Sequence, residues 1–106
     1  KDNKKYTLEE LGFIEPKKIT LTEFWKKSYE NLAIHCDTEE KANRLLKAFD
    51  KLGKKWISGN SYLLDNIYSI HSKNTCYTNN RRYTNCNWCK RNGYIIYEFD
   101  EVDLNN

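Results

Sequence analysis

The chain has 106 residues, 39% of them apolar and 31% charged, with a net charge of +3. That length suits one domain with a single modest core, so residues 1–106 are read as one unit, an arm over 1–30 and an α+β core over 31–104. Eight Tyr, four Phe and three Trp exclude a disordered chain, because each ring can bury roughly 150–250 Å² and so offset the shortage of aliphatics.

Thr7-Leu8-Glu9-Glu10 has the spacing of a capping box, and Gly12 closes the turn, so a helical turn is expected over 8–11. Thr20-Leu21-Thr22-Glu23 repeats the signal and predicts a second short helix that carries Phe24 and Trp25 and stops near Ser28. Phe13, Ile14, Leu21, Phe24 and Trp25 are the expected anchors of this arm. In NLAIHC (31–36), alternation puts Leu32, Ile34 and Cys36 on one strand face and Ala33 and His35 on the other. Asp37 or Thr38 caps a main helix over about 38–52, where Ala42, Leu45, Leu46, Phe49 and Leu52 recur at helical spacing until Gly53. Residues 54–60 read as a short strand and a turn. Thr75 to Thr78 predicts a strand, Thr84 a cap for a helical turn reaching Arg91, and Asn92-Gly93 its stop. YIIYEF (94–99) favours β structure throughout and is expected as a central strand. The fold class is therefore α+β: a small antiparallel sheet of about four strands, with the main helix on one face and short N-terminal helical turns. The Leu45, Leu46 and Phe49 face is expected to cover Ile34, Ile57, Ile96 and one of Tyr94 or Tyr97.

The densest chemistry lies in NTCYTNNRRYTNCNWCKRNGY (74–94). A structural zinc site needs four S or N ligands, usually in two close pairs. Cys86 and Cys89 make one pair, and His71 with Cys76 is the only compact second one, since His35 and Cys36 point to opposite strand faces. A C-x-x-C with no second clear pair is a weak signal, and no glycine flanks it to turn backbone amides toward the sulfurs. A redox reading needs the pair at a helix start directly after a buried strand, whereas here an Asn- and Arg-rich stretch precedes it. The expectation is a structured loop with one helical turn, holding neither metal nor disulfide in the cell. His71, Cys76, Cys86 and Cys89 are the metal candidates set aside, and no cofactor is expected.

The same segment is electrostatically one-sided. From Asn66 to Tyr97 there is no Asp or Glu, while Lys73, Arg81, Arg82, Lys90 and Arg91 are basic, and Glu98, Asp100, Glu101 and Asp103 follow. A polarised surface results. Arg81, Arg82, Tyr83, Trp88, Lys90 and Arg91 combine phosphate-binding cations with rings that stack, so they are the candidate contact residues for a protein, RNA, DNA or nucleotide partner. No Ser/His/Asp or Cys/His arrangement, Gly-rich phosphate loop or convincing carboxylate pair is present, which argues against an enzyme. No apolar stretch approaches the about 18 residues of a membrane span. A cytoplasmic location is expected, with reduced cysteines and no membrane partner.

IHCDTEEKANRLLKAFDKLGKKWISG (34–59), NTCY (74–77) and NGYIIYEF (92–99), in that order, resemble a group of small proteins encoded by phages and prophages of low-GC Gram-positive bacteria. The resemblance covers residues ~20 to 104, about one domain. Within that group the W-x-S-G turn and the T-C-Y stretch recur, whereas C-x-x-C is a local departure, and no catalytic residue carries over. The resemblance implies an accessory task performed by binding in an infected host: inhibition of a defence protein such as a CRISPR nuclease or its ribonucleoprotein complex, sequestration of a nucleotide, or diversion of a host enzyme. A non-enzymatic anti-defence inhibitor is the function it implies, with a nucleic-acid- or nucleotide-binding protein using segment 73–94 as the alternative.

Overall fold

Capping chemistry fixes where the helices begin. In the computed structural model, which describes residues 19–27 and 29–104, strand β1 (Ile19–Thr20) runs directly into helix α1 (Leu21–Lys26). Thr20 Oγ1 accepts the Glu23 N–H at 3.1 Å and Thr20 N–H donates to Glu23 Oε1 at 3.0 Å. The capping box read at Thr20 is therefore formed. The turn expected over 8–11 and the anchors Phe13 and Ile14 lie outside the described residues. Strand β2 (Leu32–Cys36) leads into helix α2 (Glu39–Lys51), whose cap Thr38 accepts the Lys41 N–H at 3.2 Å. Gly53, with φ of 79°, ends that turn in a conformation costly for other residues.

Of the short strand and turn expected over 54–60, the turn is present and the strand is not. Lys55 and Ser61 form only an isolated bridge, and Trp56 N–H closes onto the Asn60 carbonyl at 2.9 Å. With no neighbouring strand to extend the ladder, Trp56 turns inward and Ile57 outward. Helix α3 (Tyr68–His71) and a short 3-10 turn over Ser72–Asn74 precede strand β3 (Thr75–Thr78). A tight hairpin joins it to β4 (Tyr83–Asn85), followed by helix α4 (Cys86–Arg91), β5 (Ile95–Glu98) and β6 (Val102–Asp103). Segment 74–94 is thus two strands and a helix, not a loop. Thr84 belongs to β4, opposite Cys76, so the cap of α4 is Asn85, whose Oδ1 accepts the Trp88 N–H at 2.8 Å.

The main sheet has four strands in the order β4-β3-β2-β5, and β1 pairs with β6 in a separate two-stranded ribbon. β2–β3 and β3–β4 are antiparallel, but β2–β5 is parallel, so the sheet is mixed rather than antiparallel. The reason is α4. It carries the chain from β4 at one edge to β5 at the other, so β5 enters in the direction of β4 and lies parallel to β2. β5 is accordingly an edge strand, with Ile95 49% exposed, and the centre is β2 and β3. β propensity alone does not rank strands by position.

Helices cover both faces. On one face, Leu45, Leu46 and Phe49 of α2 pack with Leu32, Ile34, Cys36 and Tyr77, and Tyr97 packs against that cluster. On the other, Ala33, Cys76 and Cys89 form a second small core with Cys86, Tyr94 and Ile96. Small residues there let α4 cross close to the sheet. Of the four partners expected beneath α2, Ile34 and Tyr97 are present, Ile96 is on the opposite face by strand alternation, and Ile57 is 50% exposed. Rings extend the front core as a row: Phe24 and Trp25 meet Phe49, which meets Tyr62, which meets Trp56 at 4.6 Å between centroids.

One side chain ties α1 to the hairpin. Asn79 Nδ2 donates to the carbonyls of Glu30 at 2.9 Å and Lys27 at 3.1 Å, while its Oδ1 accepts the Leu32 N–H.

Candidate functional site

The turn 56–60, the segment 64–67 and the hairpin tip enclose an open cleft of about 600 Å³. Trp56, 8% exposed, lies at its base, with Tyr83 edge-on to it at 6.0 Å between ring centroids. Ile57, Leu64 and Ile67 line it with Ser58, Asn60 and Asp65, and Arg81 and Arg82 bring positive charge to it. Ile57 is 50% and Leu64 72% exposed, so the walls present bare aliphatic surface beside two guanidinium groups. Neither arginine forms an ion pair among the described residues.

Backbone hydrogen bonds hold this shape. Ile57 N–H donates to the Arg81 carbonyl at 3.0 Å, hooking the turn to the hairpin. Trp56 Nε1 donates to the Asp65 carbonyl at 3.3 Å, and Tyr77 Oη donates to the Asn66 carbonyl at 2.6 Å. Asp65 Oδ1 accepts the Ile67 N–H, and Asn66 Oδ1 the Tyr68 N–H. These bonds hold Ile67 at φ of 58°, an unusual left-handed conformation for a β-branched residue. Arg81 is also left-handed, at φ of 67°. It ends the hairpin turn, where Arg81 N–H donates to the Thr78 carbonyl and Thr78 N–H to the Arg82 carbonyl. Glycine would occupy that position without strain. Among the described residues, two of the three non-glycine residues with positive φ therefore border one cleft.

A smaller groove that shares Arg81 is lined by Trp25, Gly53, Lys54, Lys55 and Asn79. Lys54 Nζ lies 5.1 Å from the Trp25 ring centroid, a cation–π arrangement. Arg81 is common to cleft and groove, so a strip of three cations runs along this side. The buried Tyr62 hydroxyl, on the ring between Phe49 and Trp56, has no hydrogen-bond partner among the described residues, and burial pushes its pKa up.

The six contact candidates fall in two places. Arg81, Arg82 and Tyr83 border the cleft. Trp88, Lys90 and Arg91 are on α4, across the sheet, where Trp88 packs on Tyr94 at 5.5 Å and remains 42% exposed. The Asn85 cap between the groups marks the point where the chain changes sides. Trp56, Ile57, Leu64 and Ile67 were missed by sequence reasoning. The available signal was SYLLDNI (61–67), an aliphatic pair in a turn-rich segment with no helical or strand period to bury it.

The four metal candidates are not brought together. His71 stands against Tyr83 at 6.0 Å, and Tyr83 faces Tyr77 on the α2 side. Cys76, Cys86 and Cys89 cluster on the opposite side under α4. Among the described residues no group of three or more His, Cys, Asp or Glu is placed to hold a metal ion. His35 is engaged at both ring nitrogens, Nδ1 at 2.8 Å from Glu98 Oε1 and Nε2 at 2.6 Å from the Lys73 carbonyl, leaving neither free as base or ligand. All four cysteines are free thiols. Burial pushes the Cys36 thiol well up. Hydrogen bonding to Cys89, then burial, does the same for Cys76, while the bond from Cys76 lowers Cys89.

No family model, no curated protein and no solved structure matches this chain. No helix among the described residues is long and apolar enough to cross a membrane.

Proposed function

We propose that this protein acts by stoichiometric binding and not by turnover, as an inhibitor that docks the cleft around Arg81 onto a bacterial defence protein such as a CRISPR nuclease. The observation that carries the reading is Arg81 itself. An arginine holds a left-handed hairpin position that glycine would occupy without strain, and its side chain joins Arg82, Tyr83, Ile57 and Leu64 at the cleft. Strain retained where a simpler residue would relieve it motivates a functional reading. Arginine and aromatic side chains dominate binding energy at protein interfaces, and exposed aliphatics beside them provide area from which water is excluded. The resemblance of residues ~20 to 104 to small phage proteins supplies the class of partner.

Arg81→Gly tests this, because the binding and folding roles of Arg81 oppose each other there. Left-handed geometry costs a non-glycine residue roughly 1–2 kcal/mol, and glycine returns about 0.5–1 kcal/mol of that as backbone entropy. The variant is therefore expected to be as stable as the parent or up to about 1.5 kcal/mol more stable, while losing its partner. The assay is affinity capture from nuclease-treated lysate of a low-GC Gram-positive bacterium, parent beside variant. A captured protein retained equally by Arg81→Gly and Ile57→Asp overturns the cleft as the contact surface.

A second reading has its own observation, the basic strip of Lys54, Lys55 and Arg81 in the adjoining groove. It suits a nucleic acid or nucleotide whose phosphates lie along the strip and whose base stacks near Tyr83. That reading predicts binding to a bare oligonucleotide, weakening by roughly one log unit per log unit of salt for each phosphate neutralised. The inhibitor reading predicts no such binding.

A further inference from the structure

The back of the sheet holds a group of thiols that the cleft does not use. We propose that Cys76 and Cys86 are a reversible oxidation site, closing to a disulfide between β3 and α4 when the protein meets a peroxide or an oxidised small-molecule disulfide. Their sulfurs are 3.1 Å apart. A disulfide needs about 2.05 Å, so bonding requires only a small closing movement. The register explains the approach. Cys76 faces Thr84 across the β3–β4 pair, Asn85 caps the helix, and Cys86 is its first residue, next to the Cys76 sulfur.

The pairing differs from the one the C-x-x-C spacing suggests. Cys86 and Cys89 are neighbours in sequence, but the sulfur in direct contact with Cys86 belongs to β3. Access separates the two helix thiols: Cys86 is partly exposed, whereas Cys89 and Cys76 are fully buried. An oxidant therefore meets Cys86 first. Cys36 belongs to the front core with α2, so it is excluded from the exchange.

With peroxide, the Cys86 sulfur attacks one peroxide oxygen, forming a sulfenic acid and releasing water. The Cys76 sulfur then attacks the Cys86 sulfur. The S–S bond forms, the S–O bond breaks, and the departing hydroxide leaves as water with the Cys76 thiol proton. Two thiols and one peroxide give one disulfide and two waters, with two electrons passing from sulfur to oxygen. With oxidised glutathione as the oxidant, a mixed disulfide at Cys86 is resolved by Cys76, and two glutathione thiols are released. The product fastens the crossover helix, with Trp88, Lys90 and Arg91, to a central strand.

The test uses the whole chain, fully reduced and then treated with hydrogen peroxide or with oxidised glutathione. The expected result is an intact mass lower by two hydrogens, a Cys76–Cys86 linked peptide on non-reducing mapping, and reversal by dithiothreitol. Cys86→Ser should abolish the linkage, while Cys89→Ser and Cys36→Ser should leave it. Should a variant fail to fold, mapping of the parent protein decides alone. A Cys86–Cys89 or Cys76–Cys89 link, a disulfide between two copies, sulfinic acid at Cys86 without linkage, or no loss of the two hydrogens each overturns the proposal.

Discussion

Replacing Asn79 with aspartate changes one amide to a carboxylate of the same shape, and the cost follows from what the amide holds. Its Nδ2 donates to the carbonyls of Glu30 and Lys27, with the Phe24 carbonyl 3.5 Å away, and its Oδ1 accepts the Leu32 N–H at 3.3 Å. The substituted carboxylate would keep the acceptor but place a negative oxygen against two part-buried carbonyls, of which that of Glu30 then lacks a donor while that of Lys27 keeps the Glu30 N–H at 2.9 Å. A buried group left unsatisfied costs about 1–3 kcal/mol. With one such carbonyl, and a second facing the new charge, Asn79→Asp is expected to cost roughly 1–3 kcal/mol. Facing carbonyls raises the folded-state pKa of the new carboxyl above its unfolded value, so the deficit is full at neutral pH. It shrinks as pH falls toward the unfolded value of about 3.9 and the protonated carboxyl regains one donor. Urea denaturation at pH 7 and pH 4 measures both parts. An Asn79→Asp protein within about 0.5 kcal/mol of the parent at pH 7, the range of ordinary surface changes, refutes the idea that this amide fastens α1 to the hairpin.

Leu46→Ala, at a site 1% exposed between α2 and the sheet, should cost roughly 2–5 kcal/mol in the same assay, and a change under about 0.5 kcal/mol would mean the α2 face is not packed as described. Asp37 pairs with Lys41 at 2.9 Å, and that hydrogen bond holds its carboxyl below the usual range. A depressed carboxyl contributes stability above its unfolded pKa and loses it as pH falls through the folded value. Asp37→Asn should therefore flatten the acid limb of stability against pH slightly, and less so at high salt, because the pair is exposed. Under native conditions iodoacetamide should modify Cys86 before Cys36, because burial both shields the Cys36 sulfur and raises its pKa. Mass mapping that finds Cys36 labelled before Cys86 would contradict the packing.

The sequence made the front of the molecule legible because burial there is periodic. LAIHC alternates, α2 has apolar residues every three or four positions, and Thr20 and Thr38 cap their helices as their neighbours suggest. What it could not show is set by residues distant in sequence. YIIYEF reads the same in the centre of a sheet or at its edge, and only the passage of α4 across the back places β5 outside and parallel. Cys86 and Cys89 read as a pair because spacing is all the sequence offers, yet Cys76 is the partner in contact with Cys86. The cleft was half legible. Arg81, Arg82 and Tyr83 stood out by charge and aromaticity, but their neighbours Trp56, Ile57 and Leu64 come from irregular segments, where no period distinguishes a residue turned inward from its exposed neighbour.

The route of α4 also sets an order of events during synthesis. The β2–β3 pairing can form once residue 78 is available, and the β4 edge soon after. The other edge of β2 is closed only by Ile95–Glu98, through Leu32↔Ile95 to His35↔Glu98. At roughly 5–20 residues per second, that interval lasts on the order of one to four seconds. Throughout it, a strand buried at Leu32, Ala33, Ile34 and Cys36 in the finished protein offers unpaired backbone groups to any extended segment nearby, including the same strand on a neighbouring nascent chain. A chain stopped before Ile95 would retain α2, the hairpin and α4 and would keep that edge open permanently.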